Sequence, residues 1–183
     1  MSKYRIRDND KFYFLTFTVV NWIDVFIRDY YCDILIENLR YCQENKNLEI
    51  GAWCIMSNHV HGIFRGGRKD DLAFIIRDFK KYTAKRLLEA IELHEQSRRR
   101  GWILWMMEKA GERRSSNKEF QLWEHYNRPK EIYSKDFLEQ KLNYIHQNPV
   151  KAGMVEQPEY WKYSSAKDYI LGEQGLLEIT HLL

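Results

Sequence analysis

Two strand-like segments, Leu48 to Met56 and His59 to Phe64, are separated by only Ser57-Asn58. Two residues reverse a chain only as a tight hairpin, so these segments are antiparallel neighbours in one sheet. Helical periods flank the hairpin. From Asp29 to Asn45, Tyr31, Leu35, Leu39 and Cys42 recur at spacings of four, four and three, one face of an amphipathic helix. From Asp70 to Leu93, Leu72, Ile75, Ile76, Phe79, Thr83, Leu87 and Ile91 form a second such stripe. Ahead of both, Phe12 to Val20 (FYFLTFTVV) is apolar on both faces, as a central strand would be.

Beyond Leu93 the pattern weakens. Glu95 to Lys118 is polar and basic around an apolar island, WILWMM, and reads as an inserted loop carrying a short helix. Phe120 to Tyr126 reads as another strand. Ser134 is placed to cap a helix through Leu138 and Leu142 to about Gln147, where Asn148-Pro149 would stop it. Trp161 to Leu171 reads as a final short helix. The order is βαββαβ, which predicts an α+β, ferredoxin-like (RRM-like) sandwich: an antiparallel sheet with helices on one face. No linker divides residues 1–183, so one domain is expected.

Charge adds a direction to this frame. The net charge is only +3, yet Arg77 to Lys118 holds twelve Lys or Arg against six Asp or Glu. A basic middle on a slightly acidic body suits an anionic partner such as nucleic acid, although a solvated helix face would look the same. The three cysteines, Cys32, Cys42 and Cys54, form no CxxC pair and no disulfide framework. The N-terminus lacks an apolar secretory core, and the longest apolar run falls far short of the roughly 20 residues of a membrane span. A cytoplasmic protein is expected. No GxSxG, P-loop or dinucleotide fingerprint occurs.

The residues richest in chemistry are His59-Val60-His61. Strand residues two apart share a face, so the imidazoles project side by side with Cβ atoms about 6.5–7 Å apart. Neutral imidazoles so placed suit a divalent ion, and a pair of hydrogen-bonded surface histidines is the plain alternative. In Tyr144 to Asn148 (YIHQN), Tyr144 and Asn148 are one helical turn apart and share a face. Gln147 lies nearby, and His146 points elsewhere, about 200° round from Tyr144. An amide oxygen from Asn148 or Gln147 suits a hard cation such as Mg²⁺ or Mn²⁺.

IMSNHVHGIFR, WEHYNRPKEI, LNYIHQNPVKAGMV and YWKYSSA together resemble successive signature blocks of the single-tyrosine HUH transposases. The branch they are most similar to is the REP-associated tyrosine transposases. The resemblance runs over about residues 12–171, with the blocks in the family's order. It implies an HUH endonuclease sandwich in which His59, His61 and Asn148 hold the metal and Tyr144 is the nucleophile. It also implies cleavage and rejoining of single-stranded DNA near hairpins, through a 5′-phosphotyrosyl intermediate and a free 3′-hydroxyl. A phenol of ordinary pKa is only about 0.1 per cent ionised at pH 7, so such a site must polarise the phosphate or take the proton. Relatives include monomers and dimers with a shared sheet, so a homodimer is one of two assemblies implied.

Two features depart from the family pattern. Members acting on REP hairpins tend to carry a glycine just before the first strand, where this chain has Asn9-Asp10-Lys11. The basic segment 95–118 is also longer than the family core. Its Arg98, Arg99, Arg100, Arg113 and Arg114 are expected to contact DNA phosphates. Lys81 and Lys85 on the preceding helix are weaker candidates. Trp102 and Trp105 read first as packing residues and second as base-stacking ones. The alternatives to a transposase are a non-catalytic module that grips hairpin DNA without turnover, and an RNA-binding α+β domain with no metal requirement and no covalent adduct.

Overall fold

In a computed structural model that describes residues 6–67, 71–113 and 120–182, strand β1 spans Tyr13–Thr18, helix α1 Asp29–Lys46, β2 Glu49–Ile55 and β3 His59–Arg65. Helix α2 spans Leu72–His94, α3 Ser97–Glu112, β4 Lys130–Glu131, α4 Lys135–Lys151 and α5 Ala166–Ile170. The sheet order is β2-β3-β1-β4 with every pair antiparallel. This is the expected ferredoxin-like arrangement: β3 inserts between β1 and β2, the two strands that α1 connects. The Ser57-Asn58 connection closes as expected, with Met56 N–H donating to the His59 carbonyl at 2.8 Å.

The alternation of each strand divides the interior into two layers. Leu15 and Phe17 of β1, Trp53 and Ile55 of β2, and Val60 and Phe64 of β3 face α1 and α2. The predicted stripes of both helices are buried there. Phe14, Ala52, Cys54 and Ile63 face the other way, against Leu138, Leu142 and Ile145 of α4. The sheet is thus covered by two helices on one face, as expected, and by α4 on part of the other. The C-terminal stretch closes the outer side of β2: Ile55 N–H donates to the Tyr163 carbonyl at 2.9 Å, and Thr180 N–H to that of Ile50 at 2.9 Å. Backbone groups on an edge strand that would otherwise be open are satisfied by this return.

Three expectations are revised. Phe120 to Tyr126 is not a regular strand: among its described contacts it makes a single bridge, Val19 with Trp123, and the fourth strand is Lys130–Glu131. Burial of the Trp123 ring against Phe17, Phe26 and Phe79, with its Nε1–H donating to Thr83 Oγ1 at 3.0 Å, fixes this segment instead. Residues 97–112 form one continuous helix rather than a loop carrying a short one, because Ile103 and Met107, one turn apart, enter the core. Pro149 does not stop α4, which runs on to Lys151. So near the C-terminus the missing proline N–H costs little of the helical ladder. Ser134 caps α4 as predicted, accepting from the Phe137 N–H at 3.2 Å. No helix among the described residues is long and apolar enough to cross a membrane.

Candidate active site

His59 and His61 share the face of β3 that looks toward α4, where the strand's alternation put them. Their rings lie 4.6 Å apart, centroid to centroid. On α4, Leu138, Leu142, Ile145 and Pro149 are buried. Lys141, Tyr144 and Asn148 each precede one of these residues, so they form a neighbouring stripe about 100° round the helix. That stripe brings the Tyr144 ring to 5.0 Å from the His61 ring. Phe14 of β1 lies beneath both, stacked on His61 at 5.5 Å and edge-on to Tyr144 at 5.9 Å. Tyr144 remains 40% exposed, open to a substrate yet held by two rings.

Both histidines are fixed by hydrogen bonds on one nitrogen. His59 Nδ1 lies 2.7 Å from Asn58 Oδ1. The amide nitrogen of Asn58 donates to Asp24 Oδ1 at 2.8 Å and to the Trp22 carbonyl at 3.3 Å. Its oxygen must therefore accept from His59 Nδ1–H, which leaves the lone pair of the neutral ring on Nε2. His61 Nδ1 lies 2.8 Å from Thr16 Oγ1, while its Nε2 is buried without a hydrogen-bond partner. Burial lowers the pKa of His59 to about 4, and of His61 to about 3 with help from His59 and Lys141. Both rings are neutral donors at physiological pH.

These features fit a divalent cation. An orphaned buried Nε2 is costly unless it finds a partner, and hydrogen-bonded partners on the other ring nitrogen are the usual support of metal-binding imidazoles. No group of three or more His, Cys, Asp or Glu gathers among the described residues, so a further protein ligand would be an amide. Asn148 donates through Nδ2 to the Tyr144 carbonyl at 2.8 Å, which leaves Oδ1 as its available donor atom. Gln147 is half-buried beside it. His146 faces away, with Nε2 2.9 Å from Ser165 Oγ.

The basic residues expected at the DNA divide differently. Lys81 and Lys85 lie on the solvated side of α2, which covers the opposite face of the sheet, and Lys85 is only loosely paired with Glu89 at 3.9 Å. The structure does not bring them to the histidines. Arg99 turns inward: it pairs with the buried Glu95 at 3.2 Å and donates to the Asp24 carbonyl. Arg28 meets the same carboxylate at 3.1 Å. Burial alone would raise the pKa of Glu95, but the Gln96 N–H, Arg99 and Arg28 outweigh it and hold it below the usual carboxylate range. Arg100 donates to the Glu92 carbonyl at 3.1 Å. Arg98 and Arg113 are exposed, as are Trp102 and Trp105, whose packing role passes to Ile103 and Met107. Arg114 lies outside the described residues.

Sequence reasoning passed over Thr16, Asn58, Phe14, Trp22 and Lys141. Thr16 had a legible signal, since it alternates with Phe14 and Thr18 on β1 and pairs with His61 across the ladder. Trp22 had none: it is 63% exposed, sits at φ 56° after Asn21 at φ 55°, and places its ring 5.7 Å from His59.

Comparison with known proteins gives the family. The family model described as IS200-like transposase matches residues 13–126, which hold both histidines. A Haemophilus influenzae protein described as a REP-associated tyrosine transposase is 30% identical over 172 residues, covering 90% of this chain and 85% of its own. The solved structure of a REP-associated tyrosine transposase bound to a REP hairpin superposes with a TM-score of 0.64 at 20% identity, covering 100% of this chain and 94% of that one. At that identity the likeness speaks for the fold. The family match over most of the chain, with a relative of nearly equal length, carries the conclusion: this chain belongs to the IS200-like transposase family.

Proposed function

We propose that the protein cleaves and rejoins single-stranded DNA beside hairpins, with Tyr144 as the nucleophile in a divalent-metal-dependent reaction. The observation that carries this reading is the run of rings from His59 to His61 to Tyr144, at 4.6 and 5.0 Å, contributed by two elements far apart in sequence. A pair of merely structural histidines would not need a buried Nε2 without a partner. Hairpin DNA as substrate rests on the hairpin complex of the structural relative.

In the forward step Tyr144 Oη attacks a backbone phosphorus. The new phenolic P–O bond forms as the bond to the 3′-oxygen breaks, and the phenolic proton is balanced by protonation of the departing 3′-hydroxyl. One phosphoester replaces another, so its energy is kept and rejoining needs no nucleotide cofactor. In the reverse step a DNA 3′-hydroxyl attacks the phosphotyrosine and releases Tyr144. His59, His61 and Asn148 would hold Mg²⁺ or Mn²⁺, which when bound supplies Lewis-acid polarisation of the non-bridging phosphate oxygens. Phe14 and His61 hold the phenol in one orientation, which favours in-line attack.

The test is incubation with a pool of hairpin-bearing single-stranded oligonucleotides and Mg²⁺ or Mn²⁺, followed by denaturing electrophoresis. A denaturant-stable adduct that needs the metal is expected. Tight DNA binding with no adduct under any metal would mark a non-catalytic binding module.

A further inference from the structure

Lys141 lies on the Tyr144 stripe of α4, and its surroundings are unusual for a lysine. Its Nζ lies 5.0 Å from the Phe14 ring centroid, 5.1 Å from Phe137 and 5.4 Å from Tyr144. No carboxylate among the described residues lies within ion-pair distance of it. By contrast, Lys135 on the same helix is exposed and reaches Glu139 at 3.8 Å.

A second cation projects from the same face of the sheet. Lys130 pairs with Phe14 across the β1–β4 ladder, and directly opposed residues project from the same face of a sheet. That face is the one carrying Phe14, His61 and α4. Burial, and then the charge of Lys130, make Lys141 harder to protonate. Two like charges converging on one aromatic platform without an acid are destabilising in the protein alone. An anion between them would remove that repulsion and replace the hydration that Lys141 has partly lost.

We propose that Lys130 and Lys141 form a phosphate-binding subsite, which takes a backbone phosphodiester of the single strand on the side of Tyr144 away from His59. The rings of His59, His61 and Tyr144 and the ammonium of Lys141 then succeed one another across one face. A strand laid along them meets metal ligands, nucleophile and cationic pair in turn. The inference depends on the transposase reading for which phosphate is held, and not for the binding itself.

The test measures affinity for a labelled oligothymidylate and for hairpin-bearing oligonucleotides against salt concentration, in a Tyr144→Phe background where no strand is cut. Lys141→Met keeps the apolar stem over Phe14 and Phe137 while removing the charge, and Lys130→Met does the same at the edge strand. Each is expected to lessen the slope of log affinity against log salt by about 0.7, the value for one phosphate contact on a single strand. Lys141→Arg should restore the slope, and Lys135→Met should leave it unchanged. An unchanged slope in both lysine variants, with melting temperatures kept, overturns the subsite. So does an equal loss in Lys135→Met, which would reduce the effect to general charge. If the slopes fall as expected but the unmutated protein forms no covalent adduct, the transposase reading fails and the subsite stands.

Discussion

Thr16 Oγ1 sits 2.8 Å from His61 Nδ1, joining the central strand to its neighbour through a side-chain bond on the sheet face that carries both histidines. Ladder pairing places the two residues directly opposite each other. Thr16→Val keeps the shape of the side chain and removes the hydroxyl. Titration of Mn²⁺ followed by calorimetry should show affinity lower by about 10- to 100-fold, the usual effect of losing such a supporting bond. Tyr144 and the fold should be undisturbed by near-ultraviolet circular dichroism.

Asn58 does the corresponding work for His59, and the bonds to Asp24 and Trp22 lock the direction of its amide. Asn58→Ala frees the ring to turn and to adopt either tautomer. Mn²⁺ should raise the melting temperature of the unmutated protein, and chelation should reverse the rise. The rise should shrink in Asn58→Ala and vanish in the double variant His59→Ala/His61→Ala. An unreduced shift in that double variant would place the metal elsewhere.

Gly62 lies between the two core layers of β3, and the Phe64 ring folds back over it, where a Cβ would collide with the ring. Gly62→Ala should force that ring off its position and lower stability by about 1–3 kcal/mol in urea unfolding. Loss of metal binding without loss of stability would be the wrong pattern for this residue.

His146 gives the fold a pH dependence that is separate from the reaction. Burial lowers its pKa from 6.5 to about 4. Above pH 6.5 the ring is neutral both folded and unfolded, and the stability is fully present. As pH falls toward 4 the unfolded chain takes the proton first, and on the order of 3 kcal/mol is lost. His146→Gln keeps a hydrogen-bonding group near Ser165 and cannot titrate. Unfolding free energies measured across this range should fall more shallowly in that variant.

How far these features were readable depends on how strictly geometry acts on each residue. The placement of His59 and His61 on one face follows from strand alternation, and that of Tyr144 and Asn148 from the helical turn, so spacing alone put each pair together. Their meeting across two elements did not follow from spacing, because it depends on which side of the sheet α4 packs. The edge strand was hidden because Lys130–Glu131 is two residues long and carries no alternation. The full length of the helix at 97–112 was hidden because Ile103 and Met107 turn inward, while its arginines and tryptophans give a basic, mixed segment. Arg99 read as a phosphate ligand because a sequence cannot show that Glu95, one turn earlier, is buried and needs a cation. Lys141 was hidden for the opposite reason: an isolated lysine on a helix looks like solvated surface until the rings around it are seen.

In the proposed reaction Tyr144 itself becomes covalently bound to DNA. Its most direct test is peptide mapping by mass spectrometry of the protein after incubation with hairpin oligonucleotides and Mn²⁺. A nucleotide mass is expected on the Tyr144 phenolic oxygen, with a free 3′-hydroxyl on the released strand and no adduct in Tyr144→Phe. An adduct on any other residue, or one that persists in Tyr144→Phe, would contradict it.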